Sequence, residues 1–208
     1  MTQISLFAGV KGINRTGSSM WDSVFVGEAE MDDKFDPYPK ESQQFLKDMC
    51  SDLKKLDVIT KDSVVCWIDV FEAWVNEKEK TLPLPEKDFS DLLLEWVSTD
   101  IQGRTFRQIK SVGLVKDKLI YSEFSAKIDL EFREPSTVKK PYFDKLETFV
   151  QELRNKAPAS FKSIHQTAGF TWVWMPSEVA FVTSAVQGIM IAMVFAFCVL
   201  LIATRNII

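Results

Sequence analysis

Apolar and polar positions alternate, recur every three to four residues, or run together at different points of this chain, and each pattern predicts an element. The clearest alternation runs from Phe124 to Arg133. Phe124, Ala126, Ile128, Leu130 and Phe132 share one face, while Ser125, Lys127, Asp129, Glu131 and Arg133 share the other. That period of two predicts a strand with one buried and one wet face. Phe106 to Val115 reads as a preceding strand, joined to it through the polar turn Lys116-Asp117-Lys118. Asp22 to Asp32 is rich in strand formers, and Phe161 to Trp174 reads as a last strand.

Helical spacing appears elsewhere. Phe45, Met49, Leu53 and Leu56 predict a helix over Lys40 to Leu56. Asp62-Ser63 offers a cap to the apolar segment VVCWIDVFEAWV. After Pro83 and Pro85, the residues Phe89, Leu92, Leu93 and Trp96 predict a helix over Glu86 to Ser98, stopped by Gly103. Phe143, Leu146, Val150 and Leu153 predict a helix over Thr137 to Asn155, with Pro141 tolerable only in its first turn. The order of strand, helices, two strands, helix, strand predicts an α+β domain of the ferredoxin-like, split β-α-β kind, with extra helices in the first crossover.

The last pattern is unbroken. No Asp, Glu, Lys, Arg or His occurs from Val179 to Thr204. That exceeds the roughly 20 apolar residues needed to cross a hydrocarbon core of about 30 Å. Trp172 and Trp174 precede the span, where aromatic rings favour the headgroup region, and Arg205 follows it. The chain therefore divides into a domain over 1–174 and a membrane helix with its entry over 175–208. The opening MTQISLFA has no basic n-region and too short an apolar run for a signal peptide.

Composition changes the picture little. The net charge of −4 comes with no basic stripe, which excludes nucleic acid as a partner. Of three cysteines, Cys198 lies in the span. Cys50 and Cys66 match no zinc spacing, and read equally as a disulfide in an oxidising compartment or as two separate buried thiols. The Asp32, Asp33, Asp36 cluster lacks EF-hand spacing and reads as a solvated turn. No nucleophile elbow, zinc motif or phosphate loop is present, and neither the lone His165 nor the pair Asp69 and Glu72 has a motif around it. The expectation is a non-enzymatic protein without a cofactor. Its Trp and Phe content is accounted for by core packing, with room for an apolar groove that takes a lipid-like ligand. Asn14-Arg15-Thr16 is a glycosylation sequon, usable where the domain faces a lumen or the cell exterior.

The segments GVKGINRTGSSMWD, DDKFDPYPKESQQFLKDMC and CWIDVFEAW resemble the extracytoplasmic lobe of Patched/Dispatched-like transporters of eukaryotic microbes. So does the junction from Gln166 through Asn206. These transporters form a branch of the resistance–nodulation–division superfamily. The resemblance covers essentially the whole chain. It implies a porter lobe followed by the first helix after it, with the other membrane helices and a second lobe as partners. It also implies membrane lipid around the span, a sterol, lipid or lipidated cargo as ligand, and a lobe outside the cytosol. Ion-coupling acids of that family lie in helices outside this sequence, so none is assigned. The competing expectation, from a C-terminal span without a signal peptide, is a tail-anchored protein with a cytosolic binding or scaffolding domain. An enzyme on an anchor is the third.

Overall fold

Alternation begins at the first residues. Ile4, Leu6 and Ala8 are buried while Gln3, Ser5 and Phe7 face outward, and Thr2–Ala8 forms strand β1. The computed structural model describes residues 1–17 and 27–204. Gly9 turns the chain out of β1 at φ 94°; a Cβ there would meet the Ile120 carbonyl oxygen at 2.6 Å. Val10–Asn14 (β2) then pairs with Glu28–Met31 (β3) in a separate two-stranded ribbon. Of the strand expected over Asp22 to Asp32, Glu28–Met31 forms; residues 22–26 lie outside the described residues.

Four helices follow. Lys40–Lys55 (α1) buries Phe45, Leu46, Met49 and Leu53, the face its spacing predicted. Its Gln43 is wholly buried and clamps the proline-rich loop. The Gln43 amide donates to the Tyr38 and Leu84 carbonyls at 2.6 and 2.8 Å and accepts from the Leu84 N–H at 2.8 Å. Trp67–Glu77 (α2) starts at Cys66, not at Asp62-Ser63. The Ser63 hydroxyl is used elsewhere, donating to the Thr60 carbonyl and accepting from the Lys127 amide, which pins this loop along the sheet edge. Glu86–Thr99 (α3) buries Phe89, Leu92, Leu93 and Trp96.

Gly103 does not end a helix. The Asp100 carboxylate accepts from the Gln102 and Gly103 amides at 2.8 and 3.0 Å and caps a further helix, Ile101–Gln108 (α4). Gly103 is required because a Cβ would fall 2.3 Å from the Trp96 carbonyl oxygen. Phe106, read as the start of a strand, is therefore helical, and its ring packs 5.9 Å from Trp96. With Trp67, Phe71 and Phe89, these rings fill the helical layer and account for much of the aromatic content.

The expected strand over Phe106 to Val115 shrinks to Val112–Val115 (β4). Lys116 and Asp117, at φ 47° and 61°, form the two-residue turn of a tight hairpin into Lys118–Ile128 (β5). The alternation of β5 holds to Leu130, which is buried, but Phe132 is 50% exposed because the strand has ended. Ser136–Lys156 (α5) buries Leu146, Phe149, Val150 and Leu153, with Phe143 partly buried. Pro141 lies beyond its first turn, contrary to the sequence reading. Having no N–H, it leaves the Thr137 carbonyl without its helical donor.

A short 3-10 turn, Ala159–Phe161, leads to Ile164–Thr167 (β6). The strand expected to reach Trp174 stops there. Gly169, at φ 54°, reverses the chain, and Phe170–Thr204 (α6) runs as one helix through the boundary placed at 174/175. Tertiary packing of Trp172 against α5 outweighs the strand preference of these aromatic residues.

The main sheet has order β4-β5-β1-β6, and every neighbouring pair is antiparallel. Its core face carries Ile4, Leu6, Ala8, Phe124, Ala126 and Ile128, all in one buried cluster with α1 to α5. The outward face is left to the β2–β3 ribbon. The protein is thus a mixed α/β domain with antiparallel sheets and one long apolar helix.

Candidate functional site: the open sheet face and the junction with the apolar helix

The outward face of the sheet alternates with the core face and so collects Phe7 of β1, Tyr121 and Glu123 of β5 and His165 of β6. The β2–β3 ribbon bends beside it. Together Phe7, Val10, Ile13, Met31, Tyr121 and His165 line a mostly apolar groove of about 600 Å³. That volume lies in the range of small-ligand sites. Burial, then the Glu123 carboxylate, push the Tyr121 hydroxyl above its ordinary 10.0, so it stays protonated.

His165 Nδ1 lies 3.2 Å from Arg154 Nη2, whose guanidinium also donates to the Ile164 carbonyl. A guanidinium only donates, so Nδ1 is the acceptor and the proton sits on Nε2. Burial, then the Arg154 charge, hold His165 below its ordinary 6.5, with Glu147 opposing. A neutral, Arg-held imidazole beside a phenol and aliphatic side chains suits an apolar body with one polar end.

At the junction, two residues separate β6 from α6. Trp172 is buried: its indole Nε1–H donates to Gln166 Oε1 at 2.6 Å, and its ring meets Phe143 edge-on at 5.5 Å. Trp172 therefore packs on the lobe and not outward. Trp174, 49% exposed, stands at the surface. One turn on, Glu178 Oε1 accepts from the Ser136 N–H at 3.0 Å, so a carboxylate of α6 caps α5. The start of α6 is therefore fixed to the lobe by packing and hydrogen bonds. Beyond it the apolar window of α6 is 0% buried by the rest of the chain. Arg205 lies outside the described residues.

Cys50 of α1 and Cys66 at the start of α2 form a disulfide, with Cα atoms 6.2 Å apart. Asp69 Oδ2 lies 3.2 Å from the Cys50 sulfur and 2.5 Å from Lys54 Nζ. Two thiolates and this carboxylate would make a compact metal donor set. Bridged sulfurs are poor donors, which leaves one Lys-paired carboxylate and no fit to a metal. Glu72 pairs with Lys47 at 2.6 Å. The acids of the Asp32 turn also have separate structural partners. Asp32 accepts from Ser163, Asp33 lies 3.7 Å from Lys11, and Asp36 accepts from the Tyr38 N–H. Asn14 ends β2, exposed, its Oδ1 accepting from the Thr16 N–H at 2.9 Å.

Sequence reasoning allowed an apolar groove but missed β1 and with it where the groove lies, since Phe7 and His165 meet only across the β1–β6 register. The Ile4, Leu6, Ala8 alternation was the available signal. Compared with known families and curated proteins, the chain matches no family model and no curated sequence.

Proposed function

We propose that this chain is the extracytoplasmic lobe of a transporter of the Patched/Dispatched type within the resistance–nodulation–division superfamily, together with the helix that follows it. It handles sterol, lipid or lipidated cargo. One observation carries the reading. The lobe passes into the apolar helix without a flexible linker, fixed by Trp172 on Phe143 and Gln166 and by Glu178 on Ser136. A lobe that must transmit movement to a membrane domain needs such a rigid joint, whereas a tethered interaction module does not.

Three features are consistent with it. The strand order β4-β5-β1-β6 is what a ferredoxin-like, split β-α-β chain produces when extra helices sit in its first crossover. The Cys50–Cys66 disulfide suits an oxidising compartment. The open-face groove offers an apolar seat for cargo. The second reading, a tail anchor with a cytosolic module, draws on α6 being one candidate span among the described residues.

An antibody raised to residues 40–55 tests both. In the native organism it is expected to detect a membrane polypeptide far larger than 23.8 kDa, with further charge-free spans by peptide mapping. A native product of 23.8 kDa contradicts the transporter reading and favours the tail anchor.

A further inference from the structure

We propose that the junction of α5 and α6 is a binding site for a single bilayer glycerophospholipid, its phosphodiester held by Lys140 and its acyl chain laid along the start of α6. The site rests on the reading of α6 as a membrane span, and it is separate from the open-face groove assigned to cargo.

A groove of about 690 Å³ lies between the two helices, with Ser136, Thr137 and Lys140 on the α5 wall and Pro176, Val179 and Ala180 among those on the α6 wall. Its position relative to the bilayer follows from charge. Glu178 is the last charged residue before the charge-free stretch, so hydrocarbon begins near Val179. The two walls therefore face different media. The α6 wall, apolar except for the Thr183 and Ser184 hydroxyls, meets acyl chains, while the α5 wall, which carries two hydroxyls and an ammonium, lies at headgroup depth. An amphiphile aligned with the membrane normal matches both.

Charge selects the headgroup. Lys140 is the one charged residue among those lining the groove. Glu178, nearby, is already committed to the Ser136 N–H. One positive charge with adjacent hydroxyl donors complements a phosphodiester. Lys140 is otherwise held by Asp144, one turn along α5, at 2.8 Å in an exposed pair of the weak i,i+4 kind. Asp144 thus competes with a phosphate for the same ammonium. Pro141 has no N–H to give the Thr137 carbonyl, so a headgroup hydroxyl or ammonium can take the place of that helical donor. Small residues continue the trough: Ala180, Ser184 and Gly188 recur every four positions, leaving a shallow face for a chain.

The test uses the full chain placed in nanodiscs of phosphatidylcholine and phosphatidylglycerol, some also containing cholesterol. It is then re-extracted in mild detergent and weighed by native mass spectrometry. The chain is expected to retain one phospholipid. Ala180→Trp, which fills the trough, and Lys140→Glu are each expected to lower the bound fraction at least tenfold; Asp144→Asn is expected to raise it. Circular dichroism and the non-reducing mobility of the Cys50–Cys66 bridge show that the variants are folded. Equal retention by the wild type, Ala180→Trp and Lys140→Glu overturns the site, as does cholesterol retained in place of phospholipid. A chain that enters the bilayer but carries no lipid overturns the site alone. A chain that does not enter it overturns the span reading beneath it.

Discussion

Gln43 shows how much one polar side chain can hold in this domain. Fully buried, it makes three hydrogen bonds to the loop before α1 and the loop before α3. Gln43→Leu keeps the size but strands the Leu84 N–H and the Tyr38 and Leu84 carbonyls. At about 1 kcal/mol or more per buried group, the loss is expected to reach about 3 kcal/mol by urea denaturation of the lobe. Neighbours on β5 make the complementary contrast. Ile128, wholly buried, is expected to lose several kcal/mol as Ile128→Asp, whereas exposed Lys127→Asp costs little. Equal tolerance on both faces would contradict the orientation of β5. His165 adds a pH dependence. Its folded pKa lies below 6.5, because burial and Arg154 disfavour the imidazolium. The folded state therefore binds fewer protons than the unfolded one in the window below 6.5. Stability from this group is fully present above that pH and declines as the pH falls toward the folded pKa. Urea midpoints between pH 7.5 and 5 are expected to fall more steeply for the wild type than for His165→Gln; parallel profiles would show that His165 does not titrate this way.

The helices α1 and α2 are joined by the Cys50–Cys66 disulfide, which closes a loop of sequence separation 16. Cross-linking a loop of that size contributes about 3 kcal/mol through the unfolded chain. The double change Cys50→Ser with Cys66→Ser is expected to lower the stability of the lobe by that order in thermal unfolding, and a reductant is expected to do the same to the wild type alone. An unchanged melting temperature in both would mean that the bridge does not form. Elements whose burial follows a single period were legible from sequence: α1, α3, α5 and the core face of β5 stand close to where spacing put them. Elements made by distant partners were not. α4 begins because the Asp100 side chain caps it and Gly103 fits under Trp96, and neither contact has a local signature beyond one Asp and one Gly. The aromatic residues from Phe170 to Trp174 prefer strands in isolation, yet become helical once Trp172 docks on Phe143. The position of the groove escaped because Tyr121 and His165 are brought beside Phe7 only by pairing β1 with β5 and β6.

The molecule as a whole is a mixed α/β lobe joined directly to one long apolar helix, through packing and hydrogen bonds at Trp172 and Glu178. The long apolar helix was legible, since helices that pack in water rarely lack charge on every face over such a length, and it stands as one candidate span among the described residues. Its start was not, because α6 extends into the lobe as far as Phe170. Full-length protein is expected to stay with the membrane pellet after alkaline carbonate washing, and deletion of residues 179–208 to release it; a full-length chain in the supernatant would remove the span. The central claim concerns the side on which the lobe lies, because a porter lobe belongs outside the cytosol and a tail-anchored module within it. The most direct measurement is protease treatment of sealed membrane vesicles, cytosolic face outward, from cells making the native gene product. Residues 1–170 are expected to be protected until detergent is added. Their digestion in intact vesicles, with a lumenal marker still protected, would contradict the account.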